Sequence, residues 1–88
     1  MYYTYVLQSK KDKLWYTGCT KDLRKRFDQH LKGHVYPTQS RGPLQVIYYE
    51  ACIDKSDAFA REKYLKSGYG KRYLRNRLRR FLSLTGQE

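Results

Sequence analysis

Two short segments near the start of the chain constrain its fold more than any other feature. They read "YYTYVLQS" (2–9) and "LWYTGCT" (14–20), and only the polar stretch "KKDK" separates them. Aromatic and β-branched residues favour strands, and a short polar connection between two strands favours an antiparallel hairpin. Since side chains alternate along a strand, Tyr5 and Tyr16 are expected on one face of this hairpin, with Gly18 beside them.

A helix is predicted after the hairpin. Thr20 is placed to cap it, and the stretch "KDLRKRFDQHLKG" carries an apolar stripe and ends at Gly33. The stripe consists of Leu23, Phe27 and Leu31. The following "HVYPTQSRGP" (34–43) has no periodicity and is predicted to be a surface loop.

The second half of the chain predicts one strand and two helices. "LQVIYYEA" (44–51) has strand composition, and "SDAFAREKYLKSG" predicts a helix that begins at Ser56 or Asp57 and ends near Gly68. "KRYLRNRLRRFLSL" (71–84) predicts a last helix with its leucines on one side. The expected fold is α+β, a small three-stranded antiparallel sheet flanked by helices in the order ββαβαα. An 88-residue chain predicts a single domain, 1–88.

The charge of the chain predicts a polyanionic partner. Nineteen Lys and Arg against eight Asp and Glu give a formal net charge of +11, which is too large to be neutralised internally. Nucleic acid is favoured over an anionic membrane surface or a ribonucleoprotein scaffold. Ten tyrosines agree with this, because their rings can stack near bases.

The basic residues are most concentrated between positions 61 and 80, where nine Lys or Arg accompany one Glu. The side chains expected to contact nucleic-acid phosphates are Lys32, His34, Arg41, Lys66, Lys71, Arg72, Arg75 and Arg79.

Location and partners follow from what the sequence lacks. The segment "MYYTYVLQ" lacks the basic region and apolar run typical of a signal peptide, and no apolar run approaches the about 20 residues that span a bilayer. Cys19 and Cys52 lack metal-binding spacing and are expected to be reduced thiols, with a single disulfide between them as the alternative. The expectation is a cytoplasmic protein without a membrane or an obligate protein partner.

Three polar residues fall on or beside apolar helix faces. Arg26 and His30 are one helical turn apart beside the apolar stripe, so their side chains can converge on one point. Glu62 lies four residues after Ala58, three after Phe59 and three before Leu65, among the apolar positions of its helix. An inward carboxylate needs a cation, which leaves two interpretations: a structural salt bridge between Glu62 and Arg26, or a divalent metal ligand.

These residues can together serve phosphodiester cleavage. A metal on Glu62 would polarise the phosphate, and Arg26 would bind the developing negative charge. Tyr5, Tyr16 or His30 would orient or deprotonate water, although a tyrosine with its ordinary pKa of about 10 is a poor base.

The segments "TYV", "YTG", "RFDQH" and "AREKYLKSG", in this order, resemble the GIY-YIG endonuclease domain in its small stand-alone bacterial form. The resemblance spans nearly the whole chain. It implies a three-stranded antiparallel sheet with helices and cleavage of DNA with one divalent metal, Mg²⁺ or Mn²⁺. The site residues implied by the resemblance are Tyr5, Tyr16, Arg26, His30 and the metal-binding Glu62, with Gly18 in the second motif. The paired tyrosines would place two hydroxyls beside one scissile phosphate, and Gly18 would leave room for backbone or a ligand to approach closely.

The sequence departs from the family pattern at two motif positions. Thr4 replaces the glycine of the first motif, and Thr17 the isoleucine of the second. Neither replaced side chain supplies chemistry. The family often has an asparagine about 14 residues beyond the glutamate, which would be Asn76 here.

The leading functional prediction is therefore a metal-dependent DNA endonuclease acting on branched, flapped or damaged duplexes in repair or recombination. The alternatives are a non-catalytic nucleic-acid-binding module of the same fold and a structural partner of a ribonucleoprotein. Tyr5, Tyr16, Arg26 and Glu62 together favour the enzyme, because a pure binder has no need for a carboxylate facing a polyanion.

Overall fold

A three-stranded antiparallel sheet forms the centre of the protein. The computed structural model describes residues 1–86. The strands are β1 (Tyr2–Ser9), β2 (Trp15–Thr20) and β3 (Leu44–Cys52), in the spatial order β2-β1-β3. The predicted hairpin, third strand and α+β class are confirmed.

The strand register places the two tyrosine-bearing segments side by side. Tyr5 of β1 lies opposite Gly18 of β2, and Leu7 lies opposite Tyr16. The β1–β3 pairing shifts register between Val6 and Leu7, which is the signature of a β-bulge.

Within residues 1–86, four helices and one short 3₁₀ helix surround the sheet. They are α1 (Leu23–Leu31), the 3₁₀ helix (Tyr36–Thr38), α2 (Lys55–Lys66), α3 (Gly68–Arg77) and α4 (Arg79–Leu84). No helix within the described chain is both long and apolar enough to cross a membrane.

The sheet has an apolar cluster on each face, and both centre on β1. On one face Tyr5, Leu7 and Leu44 are buried together, and Leu23 and Phe27 of α1 pack against them. On the other face the buried cluster consists of Val6, Leu65 and Leu74, which come from β1, α2 and α3. Alternation along β1 thus fixes which helices lie on which side.

The helix starts differ from the sequence-based prediction by a few residues. Asp22, not Thr20, caps α1 and accepts the backbone N–H of Lys25 at 3.0 Å. Asp54, not Ser56 or Asp57, caps α2 through the backbone N–H groups of both those residues. Several Ser, Thr and Asp residues lie within reach of each helix start, and only the backbone geometry decides which one caps it.

The predicted last helix is wrong as a single unit, because it divides into α3 and α4 at Leu78. Leu78 leaves helical geometry at φ −103° and ψ 19°, although no Gly or Pro marks the position. The turn lets Leu78 pack on the cluster around Leu74 while Leu82 reaches toward Leu7 and Leu44.

Three further expectations about exposure are corrected. Val35 and Thr38, in the segment predicted to be a surface loop, are buried because the 3₁₀ helix folds back against α1. Leu31 and Phe59, expected on apolar helix faces, are more than half exposed. Leu31 is the last residue of α1, and the Phe59 ring lies under the Lys55 ammonium, 5.6 Å from its centre.

An ion pair surrounded by aromatic rings ties α2 to β3. The Arg61 guanidinium donates to both carboxylate oxygens of Glu50, at 2.7 and 2.9 Å. It also lies 5.0 Å from the centre of the Tyr64 ring and 5.3 Å from that of Tyr73. A bidentate pair with cation–π contacts is among the stronger polar interactions available at a partly exposed site.

The α2–α3 junction depends on a glycine that the sequence analysis did not single out. Gly70 is buried, and a Cβ placed on it would collide with the carbonyl oxygen of Tyr64 and the Cα of Leu65. Backbone atoms cannot move aside as a flexible side chain can. The absence of a side chain at Gly70 therefore permits α3 to start directly against the end of α2.

We expect Gly70→Ala to lower the stability by about 1 to 3 kcal/mol, because the added methyl group overpacks the junction. Gly68→Ala is the matched control on the same helix, since a Cβ there meets nothing within 4 Å. Urea denaturation of both variants measures the difference. Equal stability of the two variants would contradict the close approach of the helices.

Candidate active site

The candidate site forms at the free edge of β2, where the Tyr5 ring crosses Gly18. A Cβ at Gly18 would lie 2.5 Å from the Tyr5 hydroxyl oxygen and 2.6 Å from the ring carbon that bears it. The sequence suggested that Gly18 leaves room for backbone or a ligand. The room is filled by the Tyr5 side chain, which the glycine allows to reach from the central strand toward the sheet edge.

A chain of hydrogen bonds fixes the end of the Tyr5 side chain. Its hydroxyl lies 2.9 Å from Nε2 of His30 on α1, and Nδ1 of His30 lies 2.6 Å from the hydroxyl of Thr38. Tyr5, His30 and Thr38 are each no more than 2% exposed. Thr38 was missed by the sequence analysis, because it lies in an irregular segment without periodicity.

The burial of these groups indicates which atom donates in each hydrogen bond of the Tyr5–His30–Thr38 series. A buried phenolic O–H requires an acceptor. Of the two neighbours of the Tyr5 hydroxyl, the Arg26 guanidinium can only donate, which leaves Nε2 of His30 as the acceptor. Tyr5 therefore donates to Nε2. His30 then carries its proton on Nδ1 and donates it to Thr38, whose hydroxyl lies 3.4 Å from the Val35 carbonyl.

The ionisation of both rings agrees with this assignment. Burial, assisted by the positive charge of Arg26, lowers the pKa of His30 from its ordinary 6.5 to about 4, so the imidazole is neutral near pH 7. Burial raises the pKa of Tyr5, and contact with Arg26 only partly opposes that rise. Both groups are uncharged at neutral pH.

Tyr16 and Arg26 complete the cluster on this side of the sheet. The Tyr16 ring centre lies 5.1 Å from that of His30 and 6.5 Å from that of Tyr5. Hydrogen bonding with Tyr5 raises the pKa of Arg26, and its guanidinium also donates to Gln29 at 3.3 Å. Tyr16 and Arg26 are only partly buried, whereas Tyr5 and His30 face the protein interior.

Glu62 approaches from α2, on the opposite side of β2. Burial is the main cause of the raised pKa of Tyr5 and of Cys19, and the Glu62 charge adds to both, so the carboxylate lies within electrostatic range of β1 and β2. The Glu62 side chain is 20% exposed and pairs with Nζ of Lys66 at 2.7 Å. Within residues 1–86 no ion pair joins Glu62 to Arg26. The salt bridge that Glu62 does form is with Lys66, four residues later on the same helix.

The donor set fits a hard ion that arrives with its substrate. Among the described residues no group of three or more His, Cys, Asp and Glu could hold a metal by itself. Mg²⁺ keeps several waters and binds through one or two carboxylates together with substrate phosphates. Glu62 alone suits that mode and does not suit zinc, which takes three or four protein ligands.

The remaining site candidates do not join this cluster. Asn76 is exposed on α3, and in the described chain no hydrogen bond links it to the other candidates. Cys19 and Cys52 are both free thiols.

The residues expected to contact phosphates separate into two groups. Four of them line clefts that also include Tyr16, namely Arg41, Lys66, Lys71 and Arg75. The others are exposed elsewhere, namely Lys32, which pairs with Asp28, and His34, Arg72 and Arg79.

A family model and several relatives of known sequence match most of this chain. A model of the GIY-YIG catalytic domain matches residues 1–83. A UPF0213 protein of Clostridium perfringens is 40% identical over 67 residues, which cover 75% of this chain and 71% of that protein. A UPF0213 protein of Streptococcus pyogenes is 42% identical over 66 residues, covering 73% and 70%.

A solved structure shows the same fold. The solution NMR structure of a UPF0213 protein from Bacillus halodurans superposes with a TM-score of 0.52 at 35% identity. The match covers 84% of this chain and 82% of that one.

The buried neutral imidazole predicts a pH-dependent stability. In the unfolded chain His30 is protonated as the pH falls through about 6.5, whereas in the folded chain its pKa is about 4. The neutral His30 therefore makes its full contribution to the free energy of unfolding above pH 6.5. This contribution is lost as the pH falls, and about 2 kcal/mol of it is gone at about pH 5. Urea denaturation at about pH 7.5 and 5 measures the loss, and His30→Gln should reduce it. An unchanged pH dependence in the variant would contradict the assignment.

Proposed function

The chain belongs to the GIY-YIG family, and from that premise we propose that it is an endonuclease that hydrolyses DNA phosphodiester bonds with a divalent metal, Mg²⁺ or Mn²⁺. One observation carries the proposal. At a single sheet edge, a partly exposed tyrosine and arginine lie on one side of β2 and a carboxylate on the other. In this proposal residues 1–88 form one nuclease domain.

Arg26 is proposed to bind the scissile phosphate. Its guanidinium is partly exposed, and no carboxylate in the described residues pairs with it. A guanidinium presents donors that match phosphate oxygens. It would therefore stabilise the negative charge that grows on the phosphate as water attacks.

Tyr16 is proposed to touch the attacking water, and Tyr5 and His30 to position the site. Tyr5 is 1% exposed and donates its proton to His30, so its hydroxyl is not presented to a substrate. This differs from the expectation that both tyrosine hydroxyls face one phosphate. Tyr16 is partly exposed and lies next to the Arg26 guanidinium, so its hydroxyl can reach a water held beside the phosphate.

Glu62 is proposed to hold the metal. When bound there, a divalent ion would act as a Lewis acid on the phosphate and stabilise the leaving oxygen. In the protein as described, the Lys66 ammonium neutralises this carboxylate at 2.7 Å. Lys66 can turn to a DNA phosphate instead, because its side chain is 54% exposed.

DNA is the proposed substrate class, with branched, flapped or damaged duplexes as candidates, and repair or recombination in the cytoplasm as the setting. The net charge of +11 supports a nucleic-acid partner. A non-catalytic binding module remains the second candidate. The carboxylate directed at a phosphate-binding site disfavours it, since such a charge weakens binding to a polyanion.

We expect Glu62→Gln to reduce Mg²⁺-dependent cleavage about 100-fold or more, because the anionic ligand is lost while side-chain volume is kept. DNA binding in EDTA should hold or tighten. The melting temperature should change little, since an exposed i,i+4 pair contributes only about 0.3 to 0.5 kcal/mol. Cleavage of labelled duplex, flap and four-way DNA measures the first effect.

Glu50→Gln is the matched control for Glu62→Gln. It also neutralises one glutamate, but it breaks the Arg61 pair on β3. It should lower the melting temperature and leave Mg²⁺-dependent cleavage near wild type well below that temperature. Undiminished cleavage by Glu62→Gln would disprove the metal-ligand role.

We expect Tyr16→Phe to lower cleavage about 100-fold or more, the usual contribution of a general base, while DNA binding in EDTA persists. Tyr69→Phe is the control, because Tyr69 is 76% exposed on α3, outside the site. Single-turnover cleavage against pH measures both. Equal activity of the two variants would remove Tyr16 from the mechanism.

A further inference from the structure

A cleft with a basic rim and an apolar floor lies beside the candidate active site. Its volume is about 440 Å³, and it opens between the β1–β2 turn, the 3₁₀ segment and α3. Lys13, Arg41, Lys71 and Arg75 contribute to its lining. The apolar part of the lining includes Leu7, Trp15, Leu44 and Leu82.

The cleft is continuous with the catalytic cluster. Tyr16 lines it, and so does Thr38, whose hydroxyl binds His30. A smaller adjoining cleft shares Trp15, Tyr16 and Lys71 and adds Lys66, the partner of Glu62. The two clefts therefore meet at Trp15, Tyr16 and Lys71, and the smaller one extends to Lys66.

The rim carries positive charge that the described residues do not neutralise. Arg41 has a weak pair with Asp12 at 3.5 Å. Lys13, Lys71 and Arg75 have no acidic partner within residues 1–86. Such a rim favours phosphates.

The apolar floor distinguishes between double-stranded and unpaired DNA. A duplex presents its phosphates on the outside and keeps its base faces stacked inside, so it would leave this floor without a partner. An unpaired nucleotide offers both a phosphate and an open base face, and aromatic side chains bind such faces with little sequence preference. The Trp15 ring is partly buried against the cluster around Leu74, and the Arg75 guanidinium lies over it, 6.0 Å from its centre. An unpaired base would take the place of this guanidinium over the ring and leave Arg75 to its phosphate.

We propose that this cleft binds an unpaired nucleotide adjacent to the scissile phosphate, with its base against Trp15 and its phosphate on Lys71 and Arg75. The proposal rests on the endonuclease function and narrows its substrate class to DNA with a single-stranded segment beside the cleavage point. It assigns Trp15 and Lys13, which the sequence analysis did not select, to the substrate-binding surface.

Trp15 allows a direct test, because it is the one tryptophan in the sequence. Its fluorescence is measured in EDTA while a short oligothymidylate, or a blunt hairpin duplex with the same number of phosphates, is added. We expect saturable quenching by the oligothymidylate and at least about tenfold weaker quenching by the duplex. Equal quenching by both probes would overturn the proposal.

Charge variants test the rim independently of Trp15. Lys71→Gln with Arg75→Gln should weaken oligothymidylate binding about tenfold or more at low salt. Arg77→Gln with Arg80→Gln is the matched control, since both residues are exposed on α3 and α4 outside the cleft lining and the charge change is identical. Equal weakening by the two double variants would show that general charge, not this cleft, holds the strand.

Cleavage of a flap substrate with Mg²⁺ separates this proposal from the function on which it rests. Cleavage without Trp15 quenching would overturn the cleft and leave the endonuclease intact. Quenching without cleavage would contradict the endonuclease and support the cleft as a nucleotide site.

Discussion

The packing of the Tyr5 ring over Gly18 determines where α1 places its groups of the candidate site. Because Gly18 lacks a Cβ, a tyrosine from the central strand reaches the sheet edge and meets His30 there. That contact fixes the rotation of α1, which in turn brings Arg26 beside Tyr16. A larger residue at position 18 would displace the ring, and the hydrogen-bond chain to Thr38 would lose its first member.

The two faces of the sheet contribute different groups to the proposed site. α1 supplies the guanidinium and the buried imidazole, while α2, on the opposite face, supplies the carboxylate. Groups on opposite faces of a sheet can reach the same substrate atom only at an edge strand, because no further strand lies between them there. In this sheet β2 is such an edge strand. The Arg61–Glu50 pair and the close α2–α3 junction at Gly70 hold the second half in position.

The sequence predicts the fold well where periodicity is strong. The hairpin, the third strand and the helical segments follow from alternation and apolar stripes, whereas the break at Leu78 follows from tertiary packing and carries no Gly or Pro. Within the site, the spacing of Arg26 and His30 predicts their convergence. Alternation places Tyr5 and Tyr16 on one face, but it cannot show that Tyr5 is buried and Tyr16 accessible, because that depends on strand order. Thr38 lies in an irregular segment, and its role comes from a contact that no local pattern encodes.

The position of β2 at the margin of the sheet also bears on self-association. An uncovered edge strand offers unpaired backbone groups to a strand of another molecule, and charged side chains near such an edge oppose that pairing. Lys66 and Lys71 lie in the cleft beside Tyr16 and Thr17 of this strand. The cations that face phosphates in the proposed complex would therefore, in the absence of DNA, repel the same edge of a second copy.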